Sequence, residues 1–231
     1  MQLPPILFQD SRFVVLDKPA GVPVHPGPRG GASIEDVFPQ LSRRRDGPWL
    51  AHRLDADTAG CLVVALRRAA LHAAQAAFAE GRVRKTYWAV VQGRPAEDAG
   101  TVDAPLLKRT APAGWRMVPD SAGQPARTAW RLRGAAGGLA WLELLPQTGR
   151  THQVRVHCAM LGCPILGDPV YGGPGASGTG RLHLLARAVH LPLDPPVQAV
   201  APPPAHMRAA LRACGWDGEL SSSPFSERGL G

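Results

Sequence analysis

The pattern of apolar and polar positions predicts a series of short strands. Residues 11–17 (SRFVVLD) are rich in β-branched and aromatic residues, as strands are. A buried strand is predicted at residues 61–66 (CLVVAL), directly after a charged segment. Residues 127–133 and 139–145 are separated by a glycine-rich turn, which indicates a hairpin. The other predicted strands are residues 86–91 and 182–191.

Helices are predicted where apolar positions recur at helical spacing between capping signals. Residues 68–80 are alanine-rich, and Gly81 stands where a left-handed residue commonly ends a helix. Thr151 is predicted to cap another helix, which Gly162 ends. Shorter helices are predicted over residues 34–38, with Ser33 as the cap, and over residues 205–214.

Turn-forming residues mark the connections between these elements. Residues 110–124 are predicted to be a surface excursion, and residues 172–180 a flexible loop. Residues 217–231 are expected to form a flexible C-terminal tail. The elements together predict an α+β protein, with one domain over residues 1–216.

Composition adds a basic surface to this picture. The 231 residues carry a formal net charge of +8, and Lys18, Lys85 and Lys108 are the only lysines. Because arginine binds phosphate oxygens in a bidentate manner and stacks on bases, an arginine-dominated charge favours a nucleic-acid partner. A high-GC coding bias that replaces lysine by arginine explains the same composition, so composition alone leaves both interpretations open.

Other features of the sequence bear on location and metal binding. No segment approaches the roughly twenty apolar residues that cross a bilayer, and residues 1–10 lack the pattern of a secretory signal. We therefore expect a cytoplasmic protein without membrane association. The four cysteines have no CxxC pair, which predicts reduced thiols. His157, Cys158 and Cys163 do not have the spacing of a structural zinc site, so no metal site is predicted.

Two polar segments are candidates for chemistry, residues 52–55 (HRLD) and 148–153 (TGRTHQ). Each lies where an apolar element meets a loop, a place where a scaffold can hold polar groups rigidly at a surface. An arginine beside Asp55 would keep that carboxylate ionised, as an attacking carboxylate must be. Surface charge and a capped helix are the alternative interpretation of each segment taken alone.

Residues 52–65 (HRLDADTAGCLVVA) closely resemble the signature of the RluA-type pseudouridine synthase family. Further segments resemble that family in the same order. They are residues 17–21 (DKPAG) with His25 and Pro26, residues 85–87 (KTY), residues 148–157 (TGRTHQVRVH), and Gly167-Asp168 with Tyr171-Gly172. The resemblance spans residues 8–204.

The resemblance implies a fold and a reaction. The fold is the pseudouridine synthase fold, a bent and largely antiparallel mixed sheet with flanking helices and loops around a central basic cleft. The reaction is isomerisation of uridine in RNA to pseudouridine, in which the uracil detaches from the sugar, turns and reattaches through carbon five. Since reactant and product share one formula, no cofactor and no metal are expected.

The resemblance also implies roles for particular residues. Asp55 matches the catalytic aspartate, which adds covalently to the target nucleotide at the sugar or at the base. Arg150 matches the arginine that pairs with that carboxylate, and Tyr87 matches the tyrosine that stacks on the base and takes the proton from carbon five. Arg53 matches a position that fills the space left by a flipped-out nucleotide. The other expected RNA contacts are Lys18, His25, His52, Lys85 and Val154.

Two rival functions remain open to test. Asp55 and Asp57 form the D-x-D of an aspartate-nucleophile phosphohydrolase, but the apolar strand follows this pair instead of preceding it. A non-catalytic RNA-binding protein of the same fold is the second rival. The sequence departs from the family pattern at Ala59, where serine is usual, and at Leu185, where histidine is common.

The expected partner is RNA, either transfer RNA or large-subunit ribosomal RNA. No separate N-terminal RNA-binding module is expected, so the catalytic domain itself would hold RNA, in a salt-sensitive manner. We expect a monomer without an obligate protein partner.

Overall fold

The computed structural model describes residues 1–27, 30–43, 46–112, 114–172 and 180–218. They form two compact units, of which the first comprises Met1–Lys85 and Leu185–Pro203, and the second Thr86–Leu184 and residues 204–218. The predicted loop at residues 172–180 and the tail at residues 217–231 lie mostly outside the described residues. The expectation of one catalytic domain stays a prediction.

Strands predominate over helices in both units. The strands are β1 Ile6–Gln9, β2 Phe13–Lys18, β3 Trp49–Leu50, β4 Ala59–Ala65, β5 Arg84–Gln92, β6 Ala99–Asp103, β7 Leu106–Ala111, β8 Gly114–Pro119, β9 Arg127–Ala136, β10 Leu139–Pro146, β11 Leu184–Leu191 and β12 Val197–Val200. The helices are α1 Phe38–Leu41, which continues a 3-10 turn at Ile34–Val37, α2 Arg68–Ala79, α3 Gln153–Met160 and α4 Ala205–Ala213. No helix within the described ranges is long and apolar enough to span a membrane.

The first unit is built on β4, whose seven residues are all buried. Strand β2 runs antiparallel to β4, with Phe13 opposite Ala65 and Lys18 opposite Gly60. Strand β11 pairs with the start of β4 in a parallel manner. Gly60 permits this close approach, because a Cβ atom there would lie 2.3 Å from the carbonyl oxygen of Ala186. The register therefore brings the end of β2 beside the turn that enters β4.

The second unit contains an antiparallel sheet in the order β5-β10-β9-β6. Helix α3 packs on it, with Val154 and Cys158 in one core cluster with Leu142 and Leu144 of β10. Strands β7 and β8 form a separate two-stranded hairpin. The sheet and α3 thus fix the loop that joins β10 to α3.

Several predicted elements are confirmed with small changes in their ends. The strands predicted at residues 11–17, 61–66 and 86–91 correspond to β2, β4 and β5, and the predicted hairpin is β9–β10. Residues 182–191 and 205–214 correspond to β11 and α4. Residues 68–80 form α2, and Gly81 follows it with φ of 68°.

One prediction about local structure is corrected, and two are refined. The surface excursion predicted at residues 110–124 is mostly exposed, as expected, but most of it is paired as the β7–β8 hairpin, which has Leu106 and Pro119 at its base. Thr151 does not cap α3, whose N-cap is His152 in a left-handed conformation with φ of 53°. The segment after Ser33 begins as a 3-10 turn, and its cap includes the Asp36 carboxylate, which accepts the Ser33 backbone N–H at 2.9 Å.

Candidate active site

Asp55 lies in the turn that leads into β4. The Thr58 backbone N–H donates to the Asp55 carbonyl oxygen at 3.1 Å and closes this turn. The carbonyl oxygen of Ala56 accepts the Gly21 backbone N–H at 2.9 Å, so the turn is also tied to the loop after β2. Asp55 is half-buried, as is Asp57. A polar side chain is thus held on a short rigid turn at the end of a buried strand.

Lys18 joins the two loops beneath Asp55. Its side chain is fully buried, and its Nζ donates to three carbonyl oxygens, those of Pro19 at 2.9 Å, Val22 at 2.7 Å and Ala56 at 2.8 Å. Burial lowers the pKa of Lys18 to about 8, and the negative charges of Asp57 and Asp55 oppose that shift. A buried ammonium with three carbonyl partners is placed to hold the two loops together, and the expected contact of Lys18 with RNA stays a prediction.

His52 anchors the other side of the same turn. The Val63 backbone N–H donates to its Nε2 at 3.0 Å, so that nitrogen carries no proton. Burial lowers the pKa of His52 to about 4, and the charge of Lys85 acts in the same direction. The ring also packs at 5.0 Å from the ring of Phe78. A neutral His52 that receives a strand N–H favours a structural role over the expected RNA contact.

The remaining expected RNA contacts of the first unit differ in exposure. Arg53 is exposed, as a residue that contacts a ligand must be, and it directly precedes Leu54 and Asp55. His25 is exposed and its Nδ1 contacts the Glu35 carboxylate. Lys85 is half-buried at the start of β5, and burial lowers its pKa to about 8. Arg53 and His25 therefore remain the accessible candidates for RNA contact here.

The second unit carries Tyr87 and Arg150. Tyr87 is half-buried on β5, opposite Leu144 of β10, and packs against the core of this unit. Val154 is 7% exposed and packs within that same core, and its expected contact with RNA stays a prediction. Arg150 is exposed in the loop before α3, and its Nε donates to the carbonyl oxygen of Pro125 at 3.0 Å.

Gln153 fixes the loop that carries Arg150. Its Oε1 accepts the Thr148 hydroxyl at 2.7 Å and the Arg150 backbone N–H at 3.0 Å. Its Nε2 donates to the Arg127 carbonyl oxygen at 3.0 Å and to the Thr128 hydroxyl at 2.9 Å. The side chain is 3% exposed, so these four bonds satisfy an amide that would otherwise be costly to bury. Gln153 therefore links the Arg150 loop to β9.

Gln153 lies within the 148–157 segment that resembles the family, but the sequence analysis predicted no role for it. The available signal was a polar residue placed beside Val154 at the start of an otherwise apolar helix face. A buried amide needs partners, and turn residues such as Thr148 supply them. The partners on β9 could not be identified, because they come from a distant segment.

A buried ion pair joins helix α3 to the turn at residues 167–172. Arg155 donates to both carboxylate oxygens of Asp168, each at 2.8 Å, and the two side chains are 4% and 0% exposed. The Arg155 guanidinium lies 5.2 Å from the Tyr171 ring centre. Tyr171 in turn contacts His152 through its hydroxyl at 3.0 Å. Residues of α3 and of the Gly167–Gly172 turn are thereby joined by specific bonds.

The structure therefore brings the expected residues together as two groups. Asp55, His52 and Lys18 share one site in the first unit, and Arg150 shares another with Gln153 in the second. Tyr87 lies on the sheet of the second unit. In the part of the chain that is described, no three His, Cys, Asp or Glu side chains are grouped so that they could hold a metal ion.

Comparison with solved structures defines the fold. The human RNA pseudouridylate synthase domain containing 4 matches with a TM-score of 0.76 and 31% identity, over 90% of this chain and 92% of that one. The human domain containing 1 matches with a TM-score of 0.71 and 29% identity, over 87% and 83% of the two chains. The architecture is the α+β pseudouridine synthase fold, as the sequence predicted.

Sequence comparisons extend this result to the family. Residues 12–160 match the family described as RNA pseudouridylate synthase. A Zymomonas mobilis protein described as an uncharacterized RNA pseudouridine synthase is 40% identical over 156 residues, which are 67% of this chain and 71% of that one. Ribosomal large subunit pseudouridine synthase C of Vibrio cholerae is 36% identical over 152 residues, or 66% of this chain and 48% of that protein. The chain belongs to the RNA pseudouridine synthase family, in its RluA-type branch, and is an enzyme of that class.

Proposed function

We propose that this enzyme isomerises specific uridines in RNA with Asp55 as the nucleophile. The observation that carries this proposal is the placement of Asp55, a half-buried residue on a turn that Lys18 ties to the loop after β2 and His52 ties to β4. A rigid carboxylate at the surface of a scaffold suits an attack that must be aimed at one carbon atom. Asp57 lies on the same turn but does not match the family's catalytic position.

The proposed reaction conserves all atoms of the nucleotide. Asp55 adds to the sugar or to the base, the bond between nitrogen one and the sugar breaks, and the uracil turns within the site. A new bond forms between carbon five and the sugar, Tyr87 takes the proton from carbon five, nitrogen one gains a proton from solvent, and Asp55 is released. By the family resemblance, the role of Arg150 is to keep the attacking carboxylate ionised. The target must first leave its stack, which costs a few kcal/mol.

The RNA acted on is proposed from the relatives. The Vibrio cholerae relative is named for the large ribosomal subunit, which favours large-subunit ribosomal RNA over transfer RNA. We further propose a cytoplasmic monomer. Mapping pseudouridine in RNA from cells with and without the gene identifies the target, and a change confined to transfer RNA would reverse the preference.

A tritium-release assay tests the nucleophile. RNA labelled at carbon five of uridine should lose tritium to water with the wild-type chain, and Asp55→Asn should abolish the release while RNA binding persists. Asp57→Asn is the matched control, since it makes the same change on the same turn and should retain activity. Release by Asp55→Asn at the wild-type rate would refute the assignment, and binding without any release by the wild-type chain would favour a non-catalytic RNA-binding protein.

A further inference from the structure

His152 adopts a backbone conformation that residues with a side chain rarely take. Its φ is 53° and its ψ is 15°, and it is the one non-glycine residue with a positive φ in the part of the chain that the structure describes. In this left-handed region the Cβ atom is crowded, although histidine is less disfavoured there than most residues. Such strain persists where surrounding contacts hold it, and it is frequent at functional sites. The contacts of His152 therefore indicate which part of the site the strain serves.

His152 is the third residue of a tight turn that begins at Arg150. The Gln153 backbone N–H donates to the Arg150 carbonyl oxygen at 3.1 Å and closes the turn. A positive φ at the third position is a conformation for which turns usually use glycine. Helix α3 follows at once, and the Val156 N–H donates to the His152 carbonyl oxygen at 3.0 Å. The conformation of His152 thus sets the direction in which the chain passes from Arg150 into α3.

Two aromatic side chains, Trp115 and Tyr171, contact the His152 ring, and we call them the aromatic clamp. The Trp115 ring stacks on His152 with 5.0 Å between ring centres and 25° between planes. The Tyr171 ring lies 5.6 Å from it with the planes at 85°. The Tyr171 hydroxyl accepts the Met117 backbone N–H at 3.0 Å and contacts His152 Nδ1 at 3.0 Å, which lets Nδ1 accept the hydroxyl proton. These contacts leave the half-buried ring little freedom to turn.

The aromatic clamp is itself fixed by elements outside the Arg150 turn. Asp168 accepts the Tyr171 backbone N–H at 3.0 Å, and the guanidinium of Arg155 lies 5.2 Å from the Tyr171 ring centre. Arg155 and Asp168 form the buried ion pair of this unit. Trp115 belongs to β8, which pairs with β7. Support from outside the turn can offset the strain at His152.

We propose that His152 is a positioning residue for Arg150: the aromatic clamp holds its strained backbone, and that backbone aims the Arg150 turn. The inference rests on the proposed function, in which Arg150 keeps the attacking carboxylate ionised. A functional side chain must be held within about 0.5 Å of its productive position by the residues around it. Because Arg150 is exposed, its own packing does not supply that precision. Gln153 holds the Arg150 N–H, and His152 supplies the bend.

His152→Gly tests the proposal, since glycine adopts the same φ without strain but offers no ring to the clamp. We expect kcat for tritium release to fall about tenfold or more with KM within about threefold, because a misplaced Arg150 affects the reaction more than binding. Relief of strain offsets the lost ring contacts, so the urea midpoint should stay within about 0.5 M of the wild type. His152→Ala keeps the strain and loses the ring, and its midpoint should be lower than that of His152→Gly.

Amide hydrogen exchange measured by NMR gives a readout that needs no activity. The Arg150 and Gln153 N–H groups are bonded within the turn and should exchange at least about tenfold faster in His152→Gly. The N–H of Leu142, in the centre of β10, should exchange as in the wild type. His72→Ala is the matched control, since it removes an exposed imidazole from α2 and should change neither the exchange rates nor kcat.

A double-mutant cycle tests whether His152 acts through Arg150. Arg150→Lys should itself lower kcat, because lysine offers a point charge in place of the planar guanidinium. In that background His152→Gly should lower kcat by less than about twofold. Losses that multiply would mean that His152 acts independently of Arg150, and would overturn the positioning role.

The outcomes separate this inference from the proposed function. Unchanged exchange at Arg150 and Gln153 in His152→Gly would overturn the inference, even where tritium release proceeds normally. Faster exchange with unchanged kcat would overturn it as well, since the bend would then not serve the reaction. Absence of tritium release by the wild-type chain would reject the proposed function, whatever the exchange rates are.

Discussion

Replacing the Gln153 amide by an apolar group of similar size should destabilise the second unit and loosen the Arg150 loop together. In Gln153→Leu the four hydrogen bonds of the amide are lost. Thr148 and Arg150 are accessible enough for water to replace their bonds. Thr128 is 1% exposed, so water cannot easily replace the Gln153 donor there, and its hydroxyl keeps only its contact with His157 Nδ1 at 2.8 Å among these bonds.

The magnitude follows from these partners. A buried polar group that loses its partner costs about 1–3 kcal/mol, and the bonds that water replaces cost less. We expect the free energy of unfolding to fall by about 2–4 kcal/mol in urea titration, within a total of roughly 5–15 kcal/mol for a domain. The matched control is Gln75→Leu on the exposed face of α2, which should change the same free energy by less than about 0.5 kcal/mol.

A merely structural role would not alter turnover of the folded enzyme. Because Gln153 Oε1 holds the Arg150 backbone, kcat for tritium release should fall about tenfold or more in Gln153→Leu, measured well below the unfolding midpoint. Gln153→Glu keeps both acceptor contacts and should recover most of kcat in the folded protein, but not the stability, because a carboxylate oxygen then faces the Arg127 carbonyl oxygen. If the free energy of unfolding of Gln153→Leu equals that of the wild type, the hydrogen-bond argument is refuted. If the variant is less stable but its kcat is unchanged, the positioning role is refuted.

Three further predictions concern stability. Gly60→Ala should cost at least about 2 kcal/mol by urea titration, because φ is 105° and the added Cβ would meet the Ala186 carbonyl oxygen at 2.3 Å; a smaller loss would show that the strands separate easily. Asp168→Asn should cost about 3–5 kcal/mol, since it leaves the buried Arg155 charge without its carboxylate, and a loss below about 1 kcal/mol would contradict this. Burial raises the pKa of Asp17 from 3.8 to about 6, so the folded state binds more protons than the unfolded state between these pH values. The wild type should therefore lose stability relative to Asp17→Asn as the pH rises from about 4 to 6. Parallel profiles of unfolding free energy against pH would contradict this prediction.

The sequence predicted best those elements whose apolar pattern is strong. Strand β4 is apolar at every position because both its faces are buried, and α2 has alanine spacing with a terminal glycine. The strands of the β7–β8 hairpin were not predicted because they carry Lys108, Arg109 and Arg116 at exposed positions. The sequence therefore shows little alternation of apolar and polar residues there. Short exposed strands such as β1 and β6 were missed for the same reason.

The roles of site residues depended on burial, which the sequence does not show. Lys18 stands next to a proline and glycine turn, a context that favours solvent exposure. Its burial follows from the β2–β4 register, which places it opposite Gly60 and beneath the Asp55 turn. His52 was likewise expected to contact RNA, yet its partner is the Val63 backbone in the strand that follows. In each case a pairing between distant backbone segments determines the role.

The two departures from the family pattern lie next to each other in the structure. Leu185 of β11 is the register partner of Ala59 of β4, and the two are 0% and 2% exposed. The family pattern has histidine and serine at these two places, a polar pair that can form a hydrogen bond. Here an apolar pair occupies the same buried position. We therefore expect the two departures to compensate for each other in packing.

A double-mutant cycle measures that compensation. Ala59→Ser alone buries a hydroxyl against leucine and should cost about 1–3 kcal/mol, and Leu185→His alone should cost at least as much. The double variant should cost less than the sum by about 1 kcal/mol or more, because the two polar groups can then satisfy each other. Urea titration of the four proteins gives this coupling energy. Additive costs would mean that the two positions are not coupled, and that a polar pair at these positions does not stabilise the protein.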